Sequence, residues 1–232
     1  MNNPISRQLV VFLAAKTQWL TCLRPFAIIV ATCWALNIQA HPHSWVDLKT
    51  EIEGEQGKIT GFKMSWTFDA ITSAYLLDGE DLSAANKEAT LQKIANSVMA
   101  NMLPEHYFTY FYDGETPIKY ALPGNARLSK NRTKLTLDFH LPLAKAQQFK
   151  GKTLKLLIFE PGYYVDMSWP KSEDIQLSAD LAEHCTLKLV APDPTAEQVT
   201  YAMSLPADAD PDNALGQLFT QTALITCPAV KG

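Results

Sequence analysis

Histidine is scarce in this chain, five in 232 residues, yet two of the five stand in one tripeptide, His41-Pro42-His43. Two imidazoles one residue apart hold a divalent transition ion well, because neutral ring nitrogen suits Zn²⁺, Ni²⁺, Co²⁺ and Cu²⁺. If the chain is cut after Ala40, the freed α-amino group of His41 adds a third nitrogen to the same set. Pro42 rules out one geometry. The square-planar copper or nickel site built on deprotonated backbone amides needs an N–H at the second position, and proline has none. Its ring instead stiffens the link between the imidazoles and lowers the entropy lost on binding. Such a site weakens in acid, since protons compete for imidazoles near about pH 6.5 and for an amine near about 8.

Further ligands have to come from elsewhere in the chain. Asp69, at the end of Trp66-Thr67-Phe68-Asp69, and Asp166, on the polar side of Tyr163–Trp169, are the carboxylates whose patterning suits a direct or supporting role. His106, at the head of an aromatic run, is a weaker candidate. His140 alternates with Asp138 on a solvent face and His184 adjoins Cys185, positions that read as exposed or structural.

The reason to expect a cut at Ala40 lies in the first forty residues. They hold Arg7, Lys16 and Arg24 and no Asp or Glu, followed by an apolar run from Phe26 to Leu36 and small or polar residues up to Ala40. That is the make-up of a secretory signal peptide. The run is short of the roughly 20 residues that span a bilayer, although retention as an anchor is the alternative. Residues 41–232 are then a single periplasmic domain. Loss of the three leader cations moves the formal net charge from −4 to −7. With no Lys/Arg cluster left, a nucleic-acid partner is excluded. Two cysteines remain, Cys185 and Cys227, and in an oxidising compartment an even pair reads as a disulfide worth roughly 4 kcal/mol at most by loop closure. No C-x-x-C spacing points to cysteine-bound zinc.

The elements that must position these residues are mostly strands. Phe62, Met64, Trp66 and Phe68 alternate with Gly61, Lys63, Ser65 and Thr67, and Val46, Leu48 and Ile52 alternate with Asp47, Lys49 and Glu51. Gly54–Gly57 between them makes a hairpin. Leu91, Ile94, Ala95, Val98, Met99 and Met102 recur at helical spacing, which predicts an inserted helix over 84–102 closed by Pro104, with its methionines as core. Strands are expected over 106–113, 135–141, 154–159 (apolar on both faces, hence central), 163–169 and 185–190. One short helix is expected within 191–213, and a tail over 214–227 that is helical and then extended. The fold class is mainly β with helical additions (α+β): an antiparallel β-sandwich-like domain with an inserted helix.

HPHSWVD after a leader, WTFDAITSAYLL, YFTYFYDG, FEPGYYVDM and DNALGQLFTQTALITC together resemble a family of small periplasmic proteins. Its members accompany NicO-type nickel/cobalt membrane transporters, and the chain is also similar to the ZevA partner of a zinc-uptake pair. The resemblance implies periplasmic metal handling, chiefly of zinc, for an inner-membrane transporter. It places His41 and His43 in the binding role, with Asp69 beside them. Glu160 departs from the family's pattern before Pro161-Gly162-Tyr163. Two readings compete with this one. One is a copper enzyme with a histidine brace, although such braces draw their second imidazole from far along the chain. The other is a metal-free interaction domain using the aromatic strands. A two-lobed solute-binding protein is disfavoured, because the chain lacks the βαβ alternation to build it.

Overall fold

The computed structural model describes residues 42–148, 151, 153–205 and 214–228. The leader and His41 lie outside the described residues.

Two open sheets face each other across one core. The first hairpin is the predicted one: β1 (Ser44–Glu55) and β2 (Lys58–Phe68) pair antiparallel, with Val46 opposite Phe68 and Ile52 opposite Phe62. The turn is Gln56-Gly57, both left-handed at φ 51° and 72°. A two-residue hairpin turn of this hand matches the strands' own twist, and glycine takes it without a Cβ penalty. A short helix α1 (Ala70–Leu76) and the inserted helix α2 (Lys87–Met102) follow. The latter buries Leu91, Ile94, Ala95, Met99 and Met102, so its methionines are core. Next come β3 (Thr109–Asp113), β4 (Thr116–Pro117), β5 (Gly124–Asn131), β6 (Lys134–Gln148), β7 (Thr153–Ile158), β8 (Val165–Ser168) and β9 (Ile175–Leu177). The chain continues with α3 (Ala179–Ala182), β10 (Thr186–Val190), α4 (Ala196–Ser204), α5 (Leu215–Phe219) and β11 (Thr222–Thr226).

One sheet runs β5-β6-β2-β1-β8, with β9 also on β1, and the other runs β10-β11-β7-β3-β4. The α+β class and the two-sheet arrangement stand as expected, and β7, apolar on both faces, is central. Two expectations need correction. Pairing is not antiparallel throughout: β8 and β9 both run parallel to β1. The aromatic strand begins at Thr109, three residues late, because His106, Tyr107 and Phe108 form a left-handed turn at φ 51°, 56° and 50°. Left-handed backbone costs non-glycine residues roughly 1–2 kcal/mol each. Here the Thr109 hydroxyl donates to the Tyr107 carbonyl (2.8 Å), and Phe159 N–H donates to the Phe108 carbonyl (2.9 Å).

The core lies between the sheets. Phe62 meets Phe111 edge to face at 5.2 Å across the gap, and Trp66 meets Phe139 at 4.9 Å. Trp169 is buried with its indole N–H donating to the Thr50 hydroxyl at 3.1 Å. Each such ring or buried leucine contributes about 1.5–3 kcal/mol of transfer free energy. The Cys185–Cys227 disulfide forms and fastens the start of β10 to the end of β11. Among the described residues no helix is long and apolar enough to cross a membrane.

Candidate metal centre

His43 sits at the threshold of β1, and its backbone is already held. Its N–H donates to the Tyr164 carbonyl at 2.9 Å, the Ser44 N–H reaches the same oxygen at 3.2 Å, and the imidazole lies 5.8 Å from the Tyr164 ring. The parallel ladder that follows pairs Ser44 with Val165 and Trp45 with Asp166. Side chains alternate along a strand, so Val46 and Met167 point into the core while Trp45 and Asp166 share the outer face. The His43 imidazole is exposed. His43 thus immediately precedes β1, with its backbone N–H tied to Tyr164.

Asp166 stands opposite Trp45 in that ladder, and Trp45 is two residues along the chain from His43. Its carboxyl is partly buried, and burial pushes its pKa above the usual carboxylate value. Among the described residues it makes no hydrogen bond or ion pair. A carboxylate withdrawn from water without a donor is costly unless a cation offsets it.

Asp69 has a different task. Its Oδ1 accepts the N–H groups of Ile71 (2.7 Å) and Thr72 (3.0 Å), capping α1. Its Oδ2 accepts the Thr72 hydroxyl (2.5 Å), the Trp45 N–H (3.1 Å) and the Ser44 hydroxyl (3.3 Å). Burial raises its pKa, but the hydrogen bonds from Thr72, Trp45 and Ile71 outweigh that and hold it down at about 2. With both oxygens engaged, Asp69 ties β1 to α1 and serves His43 by fixing the strand that carries it. The sequence signal for this was Asp at the head of Ala70-Ile71-Thr72-Ser73, an N-cap pattern.

The remaining candidates lie elsewhere in the fold. His106 opens the left-handed turn and meets Tyr110 edge to face at 6.4 Å, beside a groove of about 730 Å³ lined by Tyr107, Tyr110, Tyr112 and Tyr120. His184 is exposed. His140 is half-exposed as expected but is paired, with Nε2 at 2.6 Å from Glu53. No cluster of three or more His, Cys, Asp or Glu side chains suited to a metal ion occurs among the described residues. His43 and Asp166 thus supply two of the groups a site needs, and the nitrogens of His41 fall outside the described residues.

Two residues that shape this corner were not read from sequence as doing so: Tyr164, and Glu160, which stood out there only as a departure from the family's pattern. Tyr164 provides the carbonyl that holds His43. Glu160 in turn holds Tyr164, accepting the N–H groups of Gly162 (2.8 Å) and Tyr164 (2.6 Å). Tyr163, left-handed at φ 59°, stacks on Phe219 of α5 at 4.2 Å. The Glu-Pro-Gly-Tyr-Tyr run was legible as a turn. That its carboxylate closes the loop on its own backbone is local geometry which composition does not reveal.

The sequence matches the profile described as "Protein of unknown function (DUF1007)" over residues 26–227. It is also similar to an uncharacterized protein of Haemophilus influenzae (strain ATCC 51907 / DSM 11121 / KW20 / Rd), 32% identical over 208 residues that cover 88% of this chain and all of that protein. A match that takes in both sheets, the His41–Trp45 entry and the disulfide pair shows that the chain belongs to the DUF1007 family.

Proposed function

We propose that this protein is an exported metal-binding accessory protein. It holds a divalent transition ion, zinc first and nickel or cobalt next, for an inner-membrane transporter of the NicO or ZevA-associated kind. His41, through its amine and imidazole, and His43 grip the ion, with Asp166 as the adjoining carboxylate. On this reading the chain carries out no catalysis of its own.

The observation that supports the reading is the hydrogen bond of His43 to Tyr164, with Asp166, which has no hydrogen bond or ion pair among the described residues, opposite Trp45 in the adjoining ladder. A histidine anchored by its backbone at the start of a strand presents its ring from a rigid base, which lowers the entropy cost of ligation. A cation there offsets the cost of keeping Asp166 half-buried. The disulfide agrees with an oxidising compartment, and the length of the apolar leader agrees with export.

The test is intact mass and elemental analysis of the exported protein. The expected form begins at His41 and carries about one zinc per chain, lost when His41 and His43 are both changed to alanine. Zinc affinity falls steadily from pH 8 to pH 5. A chain that starts elsewhere, with zinc content indifferent to both substitutions, ends this reading.

A further inference from the structure

Helix α1 turns two large apolar side chains away from the core. Its one buried residue is Ser73, whose hydroxyl donates to the Phe68 carbonyl (3.4 Å) and accepts the Leu135 N–H (2.9 Å). Leu76 packs partly buried against the core, whereas Ile71 and Tyr75 are 75% and 81% exposed. Four residues apart, they share one face of the helix. A surface helix ordinarily turns its apolar stripe to the core. Ser73 and Leu76 make up the packed side of α1, and core packing does not use Ile71 or Tyr75.

This face is fixed relative to the metal tip. The Asp69 carboxylate that caps α1 also holds the Trp45 N–H, and the Trp45 side chain is 49% exposed. Trp45 stands opposite Asp166 in the β1–β8 ladder and two residues from His43. Three large apolar side chains are thus presented from one hydrogen-bonded corner, next to the groups assigned to the ion.

We propose that Trp45, Ile71 and Tyr75 are the docking face for the protein that takes the ion from the His43–Asp166 tip. The partner presents a shallow apolar pocket rimmed by Lys or Arg. This rests on the metal-handling reading above. Transfer of an ion requires the acceptor to seat against the surface that adjoins it. The charge of the partner's rim follows from the chain itself: Asp78 and Asp81 are exposed beside the helix, and Lys93, which lines the same groove as Tyr75 and Asp78, is paired with Glu80 at 2.8 Å. The same acidity disfavours an anionic lipid surface, which recruits proteins through basic side chains. A second copy of the chain is disfavoured by size, because three side chains offer about 400 Å², half the roughly 800 Å² per partner of a stable interface.

The test replaces Ile71 and Tyr75 with glutamine, a good helix former, in the full-length chain. Radioactive zinc accumulation is measured in cells that lack the native copy, and zinc content and Tm are measured on the purified protein. We expect accumulation to fall roughly tenfold or more, with zinc per chain and Tm unchanged. Full accumulation by a variant that still loads zinc overturns the docking face and leaves the metal site standing. A native protein that never carries zinc removes the metal reading, and this one with it. Two further results also overturn the proposal: sedimentation of the zinc-loaded protein with phosphatidylglycerol vesicles that is lost in the variant, and a dimer that dissociates in the variant.

Discussion

Glu53 and His140 meet over Gly61. They belong to β1 and β6, which are not neighbours; β2 runs between them, and Gly61 is the β2 residue opposite Glu53. With no side chain at Gly61, the carboxylate and imidazole close to 2.6 Å across the intervening strand. Lys63 joins from the same strand, 3.1 Å from Glu53 and 3.3 Å from Glu51.

Gly61→Ala should therefore destabilise the protein. The added Cβ would stand 2.9 Å from the Leu141 carbonyl oxygen, 3.0 Å from Pro142 Cα and 3.1 Å from His140 Nε2. Two of these are backbone atoms that cannot swing aside, so the strands must part. Overpacking of this kind costs roughly 1–3 kcal/mol. Urea unfolding should show a lower midpoint at unchanged slope, and an unchanged midpoint would refute the steric argument.

Asp69 contributes stability that depends on pH in a definite direction. Its folded pKa, about 2, lies below its ordinary value of 3.8. Its contribution is complete above about pH 4 and disappears as pH falls through 2. Asp69→Ala should cost roughly 1–2 kcal/mol at neutral pH, as for other N-cap losses, with the gap to the native chain closing in acid. Parallel stability curves for the two proteins down to pH 2 would contradict this.

Asp166 should show the opposite sign. Burial raises its pKa, so the charged form is disfavoured in the fold. The resulting destabilisation is present at neutral pH and fades as the group is protonated. Asp166→Asn should raise the Tm of the metal-free protein by roughly 2–4 °C at pH 7, with the difference shrinking as pH falls and gone below the ordinary carboxyl value of 3.8. With zinc added the order should reverse, the native chain gaining more than the variant. Calorimetry with and without zinc separates these cases. A variant less stable without zinc and equally stabilised by it would assign Asp166 a structural role.

The disulfide should matter to the C-terminal strands. It joins Cys185 to Cys227 across a sequence separation of 42, and β11 lies between β10 and β7 in its sheet. Changing both cysteines to alanine should cost roughly 2–4 kcal/mol. Hydrogen exchange should rise first at Thr186–Val190 and Thr222–Thr226, while β1 and β2 stay protected. Uniform loss of protection would mean that the bond stabilises both sheets alike.

Much of this architecture was determined by sequence alone. Alternation of apolar residues at Val46–Ile52 and Phe62–Phe68, bracketed by Gly54 and Gly57, specifies a hairpin because a strand buries every second residue. The period at Leu91–Met102 specifies a helix in the same way, and the two-sided apolar run at Leu154–Phe159 specifies a central strand. The cysteine pair was legible from its number and setting. What tertiary structure decided was which neighbours those strands take. Nothing local tells β8 to lie parallel to β1, yet that choice places Asp166 opposite Trp45 and the Tyr164 carbonyl against the His43 N–H. Nor does local pattern say that Asp69 caps a helix and straps β1 at once, since its partners Ser44 and Trp45 lie more than twenty residues away. The left-handed turn at His106–Phe108 is likewise held by contacts with Phe159. Periodicity reports which face of an element is buried, whereas a site is made where different elements meet, and that depends on the packing of the whole chain.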